Sequence, residues 1–251
     1  MSDFDRGMAR PGALAAPDMA VDAGLRAFML GVYNKVSLGL LLSAALAYVT
    51  GNVPAISNLL WRQDVYGRAG FTVLGMVIAF APLGILLFQN FARKASPQSA
   101  SITYWVIVSL IGASLGSVFK LYTQTSVFET FLITASAFGV LSLVGYTTKR
   151  DLSGFGSFLI MGVWGLVIAM LVAMLFPSIG SGMMLIINLL GVGIFAGLVA
   201  ADTQRMKMTY YWVGGDQAAA SVATSYGALS LYLDFVNLFR FLLFFMGGSR
   251  R

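Results

Sequence analysis

The sequence contains no cysteine and no histidine, and only a tenth of its 251 residues are charged. Without cysteine there are no disulfides, no thiolate metal ligands and no sulfur nucleophile. Without histidine there is no imidazole to hold haem or zinc, and no Ser-His-Asp relay can form. The scarcity of charge excludes a whole class of fold. A soluble globular domain carries roughly 25% charged residues, and the 10% present here could not coat the surface of such a chain. The net charge of +6 does not point to nucleic acid. The basic residues are scattered at the ends of apolar runs, where membrane topology accounts for them better.

What is present is hydrocarbon. Hydrophobic residues make up 58% of the chain, and the mean hydropathy is +0.83. A bilayer-spanning helix needs about 20 mostly apolar residues. Seven segments approach that length: Val36–Val53, Phe71–Phe91, Ile102–Phe119, Phe131–Tyr146, Ser157–Phe176, Met183–Ala201 and Tyr226–Met246. The uncharged stretch from Leu152 to Ala201 must be two helices, because Pro177 to Gly182 is a run of turn residues. The runs are continuous rather than alternating, and about twice the length of a barrel strand. The expected fold is therefore an all-α polytopic membrane protein. Residues 1–25, with two prolines and four aspartates, read as a mobile cytoplasmic tail with no secretory signal. Residues 26–251 form the transmembrane domain, with the lipid bilayer as its first partner.

Lysine and arginine orient it. With seven spans, ten basic residues fall on the side of the N-terminus and five on the other, with Arg240 inside the last span. The N-terminus is expected in the cytoplasm. Arg250 and Arg251 then lie outside, unless the last segment is re-entrant. Two patterns of small residues, Gly112–Gly116 and Gly193–Gly197, mark close helix packing, read as packing within the chain.

Ionisable groups inside a bilayer are costly, about 2.5–3.5 kcal/mol each on insertion scales. Few lie away from helix ends. Asp234 sits near the middle of the last span, Asp202 caps the sixth, and Arg240 and Glu129 complete the set. Tyr226, Ser230, Asp234 and Asn237 follow helical spacing and form one polar stripe. Such a stripe faces protein or water rather than lipid. Sequential helices are usually neighbours, so Asp202 and Asp234 can meet. The plain alternative keeps Asp202 as a hydrated helix end beside Arg205 or Lys207, with Asp234 bonded to Arg240 or nearby hydroxyls. Glu129 reads as an interfacial residue, and the pair Lys149 and Arg150 as a topology signal.

Several motifs occur in a fixed order: Ile133-Thr134-Ala135 with Gly139, Gly145 through Ser153, Asp202-Thr203-Gln204, Gly215-Asp216-Gln217, and Leu231 through Phe235 followed by Phe239-Arg240. In this the chain resembles the Bax inhibitor-1 family, most closely its bacterial branch, over about Tyr33 to Gly247. The resemblance implies a seven-transmembrane-helix bundle with the last helix central, in the bacterial inner (plasma) membrane. It implies a pH-sensitive calcium leak, with Asp202 and Asp234 as a proton-sharing gate and candidate Ca²⁺ ligands. Ser230, Asn237 and Arg240 are the supporting stripe. The resemblance also implies a latch from the second helix, where this sequence has no acid and only Arg93 at its end. No resident cofactor is expected, with Ca²⁺ and protons as the species handled.

Two other classes of function match parts of the sequence. Intramembrane aspartyl proteases use Gly-x-Gly-Asp to admit water; here Val213 stands where the first glycine before Asp216 is needed, so the chain is read as not an enzyme. The alternative is a non-transporting regulator that binds a membrane quality-control protease or stress-response partner, with the N-terminal tail as its handle.

Overall fold

The helices start and stop where the sequence supplies caps. Ser96 and Ser99 form a reciprocal capping box, with Pro97 in the first turn. Thr123 accepts the Ser126 N–H at the head of another helix, and Asp216 accepts the N–H groups of Ala218 and Ala219 at the last. Gly214 and Gly215, both at positive φ, make the tight turn before Asp216.

The computed structural model describes residues 15–63, 69–88, 96–176 and 181–248. Its helices are α1 (Ala15–Asn52), α2 (Pro54–Leu60), α3 (Val73–Phe88), α4 (Pro97–Ser114), α5 (Val118–Leu121), α6 (Gln124–Thr147), α7 (Ser153–Leu175), α8 (Ser181–Val213) and α9 (Gln217–Met246). A 3-10 turn joins α4 to α5, so Pro97–Leu121 acts as one apolar rod. Among the described residues six helices are long and apolar enough to cross a membrane, and the chain is an integral membrane protein.

Of the second expected span, the described residues hold α3, which contains Pro82; residues 89–95 lie outside the described residues. α3 is preceded by a small antiparallel hairpin of β1 (Trp61–Gln63) and β2 (Ala69–Phe71) that apolar runs do not announce. The hairpin is pinned from outside. The Trp61 indole N–H donates to the Thr50 carbonyl at 3.1 Å, and the Trp61 and Phe71 rings lie 4.6 Å apart.

The helices of the first and sixth expected spans are longer than the apolar runs that mark them. α1 runs unbroken from Ala15, and Leu25, Phe28, Met29, Val32 and Val36 form a buried stripe along it. The last residues of the segment read as a tail are thus helical. α8 continues to Val213, because Arg205 and Lys207 find polar surroundings without ending the helix.

Cross-helix contacts fix the directions. Lys35 meets Ser101, Ser43 meets Val108 and Thr50 meets Ala113, so α1 and α4 run parallel. Lys35 also meets Ser225, and Ser43 meets Tyr232, so α9 runs parallel to both. A Cβ at Gly112 would lie 2.6 Å from Ser43 Cα, and one at Gly116 would lie 2.9 Å from the Gly51 nitrogen. The first small-residue pattern therefore brings α4 onto α1 within the chain. In the second, Gly197 receives Leu159 and Phe155 of α7, while Gly193 faces open space.

α9 packs against α1, α4, α6 and α8 and is the most buried of the six long helices. It is unbroken, with no re-entrant turn among the described residues. Its far end is tied to the head of α6: Thr123 N–H donates to Gly248 O at 3.1 Å and Gly248 N–H donates to Ser126 Oγ at 2.9 Å.

Candidate functional site

Charge is brought into the bundle where α8 and α9 lie side by side. Asp202 is 7% exposed and Asp234 is 5% exposed. The Ser230 hydroxyl, one turn before Asp234 on α9, donates to the Asp202 carboxylate on α8. Arg205 Nη1 lies 3.7 Å from the other Asp202 oxygen, with most of its side chain exposed. Asp234 is within electrostatic reach of both Asp202 and Arg205. One of its oxygens, Oδ2, is buried without a hydrogen-bond partner among the described residues.

Asp202 is not a hydrated helix end, since α8 carries it well inside the helix and buries it. The expected partner Arg205 is present, whereas Lys207 turns away and donates to the Tyr146 carbonyl at 3.3 Å. Of the stripe on α9, Ser230 reaches Asp202. Asn237 donates to the Leu233 carbonyl of its own helix at 2.9 Å. Arg240 is exposed, within reach of Tyr122 rather than of the aspartates. Glu129 is exposed near the head of α6. Arg93 lies outside the described residues.

The site opens in one direction. A cavity of about 510 Å³ between the start of α7 and α8 has Asp202, Gln204 and Arg205 in its wall, with Ser153 and Ser157 opposite. The loop above it is held by Gln204. Its carbonyl accepts the Leu152 N–H at 2.7 Å, and its amide donates to the Arg150 carbonyl at 2.7 Å. Gly145 lets α6 approach this junction: a Cβ there would fall 2.9 Å from Ala200 Cα. The Gly145–Ser153 and Asp202–Gln204 motifs are therefore two sides of one joint. In the same loop Asp151 accepts the Ser153 N–H at 2.8 Å, and hydrogen bonding from Ser153 holds its carboxyl below the usual aspartate value.

Two carboxylates and a hydroxyl are hard oxygen donors of the kind Ca²⁺ takes. Calcium prefers six to eight oxygens, so water or carbonyls would have to complete the shell of such an ion.

A second polar cluster lies within the apolar runs. Lys35, one of the ten basic residues expected on the side of the N-terminus, sits between α1, α4 and α9. Its ammonium donates to Ser101 Oγ at 3.1 Å and to Ser225 Oγ at 2.8 Å, and sits 5.5 Å above the Tyr104 ring centre. The Tyr104 hydroxyl donates to the Lys35 carbonyl at 2.6 Å. Two turns further on, Ser43 and Tyr232 share a hydrogen bond of 2.7 Å. The available signal was the stripe Leu25, Phe28, Val32 and Val36, next to which Lys35 falls on the helix.

The family model described as inhibitor of apoptosis-promoting Bax1 matches residues 25–251. A protein of Caulobacter vibrioides is 59% identical over the full length of both chains. A Rickettsia prowazekii protein is 42% identical over 91% of this chain and 92% of its own. The inner membrane protein YbhL of Escherichia coli is 39% identical, over 91% of this chain and 94% of its own.

Proposed function

The chain belongs to the Bax inhibitor-1 family, and on that premise we propose that it mediates a pH-sensitive leak of calcium across the bacterial inner membrane, gated by Asp202 and Asp234. The observation that carries this reading is the buried, unpartnered oxygen of Asp234 within reach of a second buried carboxylate. Two carboxyls in a water-poor interior titrate as a unit. With one proton between them they hold α8 to α9. Without it they repel, or recruit a cation whose shell they help to complete. Ser230 supports the ionised Asp202, and the cavity beside Gln204 supplies a route for water and ions from one side. Calcium is the transported substrate here, and no resident cofactor or catalytic group is needed.

Seven crossings, with α9 in the centre, fit this reading. Since α1 and α4 run parallel, the chain must return once between them, and α3 is the apolar helix available. The excess of lysine and arginine on the side of the N-terminus favours a cytoplasmic N-terminus in this reading.

The test is calcium entry into liposomes containing the purified chain, between about pH 5 and about pH 8. Entry above that of empty liposomes, varying with pH, supports the leak. Entry no greater than that of empty liposomes at every pH refutes it and moves attention to a non-transporting role with a membrane partner.

A further inference from the structure

α1 and α6 barely touch along their length, and the space between them is not empty of chemistry. At the end where α1 enters the bundle lies a groove of about 550 Å³. Met29, Leu30, Phe138 and Leu143 make it apolar, while Arg26, Tyr33 and Tyr146 stand around it.

Two features set it apart from ordinary lipid-facing surface. Ser142, in its wall, is 5% exposed, and its hydroxyl has no hydrogen-bond partner among the described residues. Leaving a buried hydroxyl unpaired is costly, so an acceptor in the groove is favoured. Second, no acidic residue whose side chain is described lines the groove or pairs with Arg26. Lys207 adds a second cation 5.4 Å from the Tyr146 ring centre.

Depth orders these groups. α6 ends at Thr147, and Arg26 shares the groove with Tyr146, one residue before that helix end. That is headgroup depth, where tyrosine rings also settle. Ser142 is one turn further into the bilayer than Tyr146.

We propose that this groove is a binding site for an anionic glycerophospholipid. Arg26 takes the phosphate, the Ser142 hydroxyl donates to an ester carbonyl, and an acyl chain lies against Met29, Leu30 and Phe138. Further along the same two helices a second cavity of about 320 Å³, walled by phenylalanines including Phe131, Phe235 and Phe239, offers room for the chain's tail. The site is separate from the aspartate pair and does not depend on the calcium reading.

Gly139 provides a clean test, because it lines the groove and a Cβ there meets nothing within 4 Å. The full chain in mild detergent is mixed with dioleoyl phosphatidylglycerol or dioleoyl phosphatidylcholine, and bound lipid is counted by native mass spectrometry. The wild type should retain the glycerol lipid about fivefold more strongly, as one well-placed cation warrants. Arg26→Gln should erase that preference. Gly139→Phe should fill the groove and lose retention of the glycerol lipid. Gly193→Phe, on the open face of α8, should bind as the wild type does. Equal retention of both lipids by the wild type, or undiminished glycerol-lipid binding by a folded Gly139→Phe chain, overturns the proposal.

Discussion

The hydroxyl of Ser230 donates to the carboxylate of Asp202, so that α9 is fastened to α8 one turn away from Asp234. A hydrogen bond to an ionised group contributes about 1.5–3 kcal/mol. Ser230→Ala should lower the melting temperature, while Ser230→Thr keeps a hydroxyl and most of the stability. Thermal unfolding in detergent reads both. Equal melting temperatures for the wild type and Ser230→Ala would remove this bond from the account.

Gln204 joins α8 to the loop between α6 and α7 by two bonds. Gln204→Ala should loosen residues 150–152 and speed hydrogen exchange at the Leu152 amide. Gln204→Glu keeps an acceptor for Leu152 N–H but has no donor for the Arg150 carbonyl, so its exchange should be intermediate. Hydrogen exchange read by mass spectrometry distinguishes the three proteins.

Lys35 is held by two serine hydroxyls and a tyrosine ring rather than by a carboxylate. Lys35→Met keeps the stem but removes the donor to Ser101 and leaves Ser225 only its bond to the Ser221 carbonyl, at a cost of about 1–3 kcal/mol. Adding Ser101→Ala and Ser225→Ala should return part of that loss, since removing both sides of a polar contact is milder than removing one. A triple variant no more stable than the sum of its parts would show that the cluster is not coupled.

Gly112 sits where α4 meets the backbone of α1 at Ser43. Gly112→Val must push the two helices apart and should cost about 3 kcal/mol or more, at the upper end of overpacking effects. Gly193→Ala, facing open space, should be neutral or slightly stabilising through helix propensity. Unfolding of the two variants side by side checks the contrast.

Asp151 supports the start of α7 only when ionised. Its carboxyl is held below the ordinary aspartate value by Ser153. A group whose folded value is depressed stabilises above its unfolded value and loses that contribution as pH falls through the folded one. Protection of the Ser153 amide should therefore fade in acid. Asp151→Asn should flatten the fade, and an unchanged profile in that variant would assign the protection elsewhere.

How much of this could be read in the residues depends on what each has to do. Asp234 was legible because a carboxylate inside an apolar run is costly wherever the helix lies. The depth of Asp202 was not. Arg205 and Lys207 end the apolar run just beyond it, yet one reaches outward and the other bonds the Tyr146 carbonyl, so α8 continues past them. Lys35 was hidden for the opposite reason: its partners, Ser101 and Ser225, are distant in sequence and carry no charge that would draw attention. The hairpin before α3 depends on Trp61 finding Thr50 across a turn, a contact that no periodicity encodes. The order of the family motifs was legible, but their meeting through Gln204 needed the fold.

The most direct test of the aspartate gate is calcium flux through liposomes, compared between about pH 5 and about pH 8 for the wild type, Asp202→Asn, Asp234→Asn and the double variant. The gate account predicts a wild-type flux that changes with pH, and variants whose flux no longer follows it because the shared proton cannot be lost or gained. Variants that keep the wild-type pH dependence would contradict it and place the proton-sensitive group outside the pair.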